Sequence, residues 1–245
     1  MSTEEDKFNF QDRGSYWLSL DEQRSEQWSK IRKHRLNASE FASMVGDTPY
    51  STPKETAKII NGYEEKKFDE ASKKHMQRGT DLEPFVRKLA EEKLSEILNA
   101  EIQIRETGVM IPKWDPTIGA SLDGEVWYKK DDEWKPTKIN IEIKCPERMP
   151  RLLEEKMGFK VAQKETEGYE HIYKSHYYQM MGGMAITKRK YCFYVVYTKS
   201  DDGKDILYTE FIPFNQQVWD EIYEKIKEFQ KRYIKYTPIN PGDYL

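Results

Sequence analysis

The strongest chemical signal lies in a short alternating stretch. In Ile139-Asn140-Ile141-Glu142-Ile143-Lys144-Cys145, a period of two puts the isoleucines and Cys145 on one face of a strand. Asn140, Glu142 and Lys144 share the other. Alone, a Glu-x-Lys pair is the ordinary wet side of a half-buried strand. Nineteen residues before Glu142, however, Asp123 precedes Gly124 in Gly119-Ala120-Ser121-Leu122-Asp123-Gly124. By itself that is an Asp-Gly turn. Facing Glu142 across a sheet, Asp123 would complete a pair of carboxylates, a hard oxygen site suited to Mg²⁺ or Mn²⁺. Such a metal activates water and neutralises charge on a phosphate under attack, while the compact ammonium of Lys144 can contact the water or the phosphate oxygens.

Several elements must position these groups. Helical spacing runs from Asp21 to about Arg35, and Asn37-Ala38-Ser39 supplies caps for a short helix carrying Phe41, Met44 and Val45. Ser51-Thr52-Pro53 reads as a helix start with proline in the first turn. Thr80 or Asp81 is expected to cap a longer helix through about Leu98, with Glu83 off the centre of its apolar stripe. Stretches 101–112, 118–129 and 138–145 read as β-rich hairpins forming one sheet, followed by a helix at 170–186, strands at 190–198 and 205–213, and a helix over 215–236. Residues 1–20 are expected as a polar N-terminal segment, loose over 1–15, with 21–245 as one domain.

Composition restricts the function classes. Charged residues make up 34% of the 245, and no apolar run approaches the ~20 residues needed to span a bilayer, so a soluble, intracellular protein without membrane contact is expected. Cys145 and Cys192 have no metal-binding spacing and suggest no disulfide framework. The net charge of −3 lacks the basic excess usual in nucleic-acid binders. Basic residues are nonetheless grouped locally, at Lys30, Arg32, Lys33 and Arg35 and at Lys188-Arg189-Lys190.

Five ordered motifs resemble the lambda-exonuclease/YqaJ family of phage and viral recombination nucleases, in the PD-(D/E)XK class. They are Trp28-x-x-x-Arg32 with Asn37-Ala38-Ser39-Glu40; Arg78-Gly79-x-x-x-Glu83; Ser121-x-Asp123-Gly124; Glu142-Ile143-Lys144-Cys145-Pro146; and Tyr178-Gln179. The resemblance implies a restriction-endonuclease-like α/β fold, a central mixed sheet flanked by helices. It implies Asp123 and Glu142 as metal ligands with the Ile143 backbone carbonyl, and Lys144 as the catalytic lysine. Glu83, through water, and Gln179 would support the metal or attacking water. Arg32, Ser39 and Ser121 would hold a terminal 5′-phosphate, with Arg35 as an alternative contact. The implied activity is a Mg²⁺-dependent 5′→3′ exonuclease on linear double-stranded DNA, with Mn²⁺ as the alternative metal. Double-stranded DNA ends would be its substrate, a homotrimer its assembly, a single-strand annealing protein its partner, and the cytoplasm or nucleus of a host cell its location. A structure-selective or single-strand endonuclease, or a non-catalytic DNA-end-binding module, would share the same core. Leu122 departs from the family pattern by replacing the proline usual before the aspartate, and Tyr128 to Lys138 makes a longer polar hairpin.

Overall fold

The structure, a computed structural model, describes residues 8–150, 153, 159–161 and 171–244. The alternating stretch forms the C-terminal half of a long strand, β8 (Glu133–Lys144). It pairs antiparallel with β7 (Gly124–Lys130) and parallel with β10 (Tyr191–Lys199). With β4 (Ile102–Arg105), β9 (Phe159–Val161) and β11 (Asp205–Pro213) they make a six-stranded mixed sheet, ordered β4-β7-β8-β10-β11-β9. The β7–β8 reversal passes through Asp131 and Asp132 at φ of 51° and 59°, a left-handed conformation that aspartate tolerates better than bulkier residues.

Alternation divides the sheet into two committed faces. Ile139, Ile141 and Ile143, with Phe193, Val195 and Tyr197, pack against Val86, Ala90 and Leu94 of α4 (Glu70–Leu98). Burying aliphatic side chains of this size contributes about 1.5–3 kcal/mol each, which fixes the register and sends Glu142 to the opposite face. There Cys192, Tyr194 and Val196 pack with α5 (Lys174–Thr187) and α6 (Gln216–Tyr233), while Asn140 donates to Thr187 Oγ1 at 3.2 Å.

A second sheet departs from the single sheet of hairpins expected from sequence. Its five strands run β1 (Phe10–Asp12), β2 (Tyr16–Ser19), β5 (Val109–Pro112), β6 (Ile118–Ser121) and β3 (Leu36–Asn37) in spatial order. The stretch 118–129 thus breaks at Leu122-Asp123, where the chain crosses from one sheet to the other. Gly124 permits the crossing: a Cβ there would lie 2.4 Å from Ile104 Cγ2. Part of the N-terminus expected to be loose is instead paired, because Phe8, Tyr16 and Leu18 bury apolar side chains within an otherwise polar segment. Residues 1–7 of that segment lie outside the described residues.

The remaining helices follow their caps. Ser25 caps α1 (Glu26–Arg32), which is shorter than the expected 21–35. A 3₁₀ turn, Ala38–Glu40, leads into α2 (Phe41–Met44), and α3 (Pro53–Ile60) starts where Ser51-Thr52-Pro53 predicts, with Thr52 forming a capping box. Helix α4 starts not at Thr80 or Asp81 but at the Asp69 cap, with Pro84 accommodated inside it. Among the described residues no helix is long and apolar enough to cross a membrane.

Candidate active site

The sheet crossing brings the two carboxylates together. Asp123 Oδ2 accepts a 2.6 Å hydrogen bond from the Ile143 backbone N–H, docking the crossing onto β8 beside Glu142. Glu142 is 1% exposed and both of its oxygens are engaged. Lys144 Nζ donates to Oε1, and Gln179 Nε2, reaching across from α5, donates to Oε2 at 3.1 Å. Glu83 projects from α4 and is also buried, between two arginines: Arg24 Nη2 reaches Oε2 at 2.9 Å and Arg87 Nη2 reaches Oε1 at 2.7 Å. Arg87 also donates from Nε to the Asp123 carbonyl at 3.2 Å, tying α4 to the crossing. Arg24, Glu83, Asp123, Ile143 and Lys144 line a cleft of about 670 Å³ together with His176 and Tyr194.

Charge in this cleft is poorly balanced. Burial raises the Asp123 carboxyl above its ordinary value, with Lys144 pulling it down and Glu83 adding to the rise. Burial pushes Glu142 up to about 8, opposed by Lys144 and reinforced by Asp123. Lys144 goes the other way: burial lowers it, but the attraction of Glu142 and Asp123 outweighs that and raises its proton affinity. Among the described residues no group of three or more His, Cys, Asp or Glu side chains is gathered as a metal cage. Two carboxylates that repel each other nevertheless fit Mg²⁺, which binds through one or two carboxylates and keeps several waters.

A second cluster forms at the end of α1. Arg32 donates from Nη1 to Ser121 Oγ at 3.2 Å and from Nη2 to Ser39 Oγ at 3.1 Å. Trp28, one helical turn earlier, places its ring 4.4 Å beneath the guanidinium and donates from Nε1 to the same Ser121 oxygen at 3.1 Å. The three residues expected to hold a 5′-phosphate therefore meet, although they come from α1, the 3₁₀ turn and β6. Arg35 does not join them. It is fully buried, and its guanidinium donates to the carbonyls of Ile31 at 3.0 Å, Pro116, and Ile239 at 2.5 Å. The expectation of Arg35 as an alternative phosphate contact is corrected accordingly: its donors are spent tying backbone segments together.

Sequence reasoning missed Arg24 and Arg87. The four-residue spacing of Glu83 and Arg87 on one helix was a usable signal; nothing in the sequence points to Arg24.

The chain matches the YqaJ-like viral recombinase domain family over residues 27–190. No curated protein sequence matches it. Among solved structures it resembles the alkaline exonuclease LHK-Exo from Laribacter hongkongensis, at 22% identity over 85% of this chain and 92% of that one, with a TM-score of 0.58. The same enzyme in complex with dAMP aligns at 23% identity over the same shares, with a TM-score of 0.59. A phage-related exonuclease from Haemophilus somnus 129PT aligns at 17% identity over 81% of this chain and 93% of that chain, with a TM-score of 0.51. At these identities the likeness is one of fold, and the family match spans both clusters. The chain therefore belongs to the YqaJ-like viral recombinase domain family, and it has the restriction-endonuclease-like α/β fold of the exonucleases it resembles.

Proposed function

We propose that the protein is a divalent-metal-dependent 5′→3′ exonuclease that digests linear double-stranded DNA to 5′-mononucleotides, leaving a 3′ single strand for recombination or repair. The spacing of the two clusters carries this reading. Ser121 belongs to the Arg32 cluster and Asp123, two residues on, to the carboxylate cleft. Only Leu122 separates the two residues, so the groups that would hold a 5′-phosphate adjoin those that would hold the metal. A 5′-phosphate held by Arg32, Ser39 and Ser121 would place the next phosphate of the same strand at Asp123, Glu142 and Lys144.

Hydrolysis there joins a water oxygen to phosphorus and breaks the bond from phosphorus to the 3′ oxygen, which takes up a proton. The freed nucleotide leaves with its own 5′-phosphate and a 3′-hydroxyl, and the retained phosphate becomes the new 5′ end. Asp123, Glu142 and the Ile143 carbonyl would hold Mg²⁺ or Mn²⁺, which supplies an acidified water and charge neutralisation when bound. Lys144, held on Glu142, is placed to donate to the incoming water or to a non-bridging oxygen. Gln179 keeps Glu142 oriented, and Glu83 orders water next to the ligands. The dAMP complex of LHK-Exo supports the product class, since dAMP is a nucleoside monophosphate. In the same reading DNA ends are the substrate, an annealing protein receives the 3′ strand, and the work is done in the cytoplasm or nucleus of a host cell.

Linear duplex with 5′-phosphates and covalently closed duplex, each incubated with Mg²⁺ or with EDTA, provide the test. Metal-dependent release of mononucleotides from linear DNA alone is expected. Equal cutting of closed circles would replace the reading with an endonuclease, and binding without cleavage with a DNA-end-binding module.

A further inference from the structure

The loop before α1 holds a conformation that its residue type disfavours. Arg24 has a φ of 69°, in the left-handed region that residues other than glycine mostly avoid. Such a conformation persists only where its surroundings impose it. On one side Gln23 donates from Nε2 to the backbone carbonyls of Thr107 and Leu122, both at 2.8 Å, pinning the loop against the residue before Asp123. On the other, Ser25 caps the helix that carries Trp28 and Arg32. Arg24 is thereby held between the carboxylate cleft and the Arg32 cluster, with its side chain in the wall of the cleft.

Its partner does not require it. Arg87, at 13% side-chain exposure, already binds the other oxygen of Glu83, whereas the Arg24 side chain is 50% exposed. An ion pair that open to water adds little to stability. Of the donors on Arg24, only Nη2 is engaged among the described residues, which leaves Nε and Nη1 for another acceptor. A half-exposed guanidinium aimed by a buried carboxylate is suited to a phosphodiester oxygen.

We propose that Arg24 contacts the substrate, binding a non-bridging phosphate oxygen of the strand being cut while Glu83 aims its guanidinium. This rests on the DNA-cleaving reading above. Arg24→Gly suits the left-handed backbone and removes the guanidinium, whereas Arg24→Lys keeps a charge without the fork. Binding of 5′-phosphorylated duplex DNA, measured by fluorescence anisotropy in EDTA at several salt concentrations, separates the possibilities, with thermal melts confirming that each variant folds. Arg24→Gly is expected to weaken binding on the order of tenfold and to reduce the salt slope by about 1, with Arg24→Lys in between. In the cleavage assay KM rises more than kcat falls. If Arg24→Gly binds DNA with the affinity and salt slope of the wild type, Arg24 is only a partner of Glu83 and the proposal is overturned. Wild-type protein that binds DNA but never cuts it would overturn the exonuclease reading instead, while the binding difference still decides Arg24.

Discussion

Glu142 concentrates the electrostatic difficulty of the molecule. It is buried, faces a second carboxylate, and has one lysine and one amide for company. A cation bound there relieves that repulsion only in the folded state, so it must stabilise the fold. Mg²⁺ is therefore expected to raise the melting temperature of the wild type in the absence of DNA, and to leave Glu142→Gln nearly unmoved. The same variant should lose cleavage by about three orders of magnitude or more. Melts in EDTA and in Mg²⁺ check the first half, and equal metal shifts in both proteins would sink Glu142 as a ligand. At the other cluster, Arg32→Ala removes a charged contact worth about 1.5–3 kcal/mol, so the preference for 5′-phosphorylated over 5′-hydroxyl ends should fall roughly 10- to 100-fold. The ratio of kcat/KM for the two ends measures this, and an unchanged ratio would place the phosphate elsewhere. Alternation put Glu142 and Lys144 on one strand face in the sequence, but Asp123-Gly124 and the ordered family motifs were needed to single them out. Arg35 passed there as an alternative to Arg32, because nothing in a basic run reveals that α1 ends at Arg32 and that Arg35 turns inward to backbone carbonyls.

Among the elements, α5 joins the two clusters, and its glycines set how closely it approaches. A Cβ on Gly182 would lie 2.4 Å from Phe41 Cε2, and one on Gly183 would lie 2.8 Å from Leu122 Cδ2. Phe41 directly follows the turn that carries Ser39, and Leu122 directly precedes Asp123. Gly182→Ala is thus expected to cost about 1–3 kcal/mol through overpacking and to shift Ser39 relative to Gln179. Gly79, inside α4, is different: beyond its own helix backbone, no atom of the described residues lies within 4 Å of where a Cβ would stand. Gly79→Ala should therefore stabilise by about 0.5–1 kcal/mol. Chemical denaturation of both variants tests the contrast, and a shared sign would contradict the packing argument. Periodicity showed most helices and strands correctly, since it records which face is buried. It placed the start of α4 too late because Gly79 and Pro84 resemble breakers, and the preceding turns have little apolar patterning. It also merged β6 with β7, because a change of sheet leaves no mark on alternation, although Gly124 stood at the break.

At the scale of the whole molecule, a net charge of −3 gives no general attraction to DNA. Positive charge is gathered locally at Lys30, Arg32 and Lys33, while the β7–β8 turn presents Asp131 and Asp132 to solvent. A single chain of this kind should leave the duplex readily after each cut, since few phosphates are neutralised away from the end. Closing a ring of identical chains around the DNA would retain it without a strong charge field, and a head-to-tail interface closes a ring when its rotation allows. The homotrimer implied by the family resemblance is proposed on that ground. Light scattering during size-exclusion chromatography should return three times the 29.2 kDa of one chain. Degradation of a long linear duplex should then continue after a trap of excess unlabelled ends is added. A single-chain mass with digestion that stops at the trap would remove the ring, and retention would have to come from contacts made within one chain.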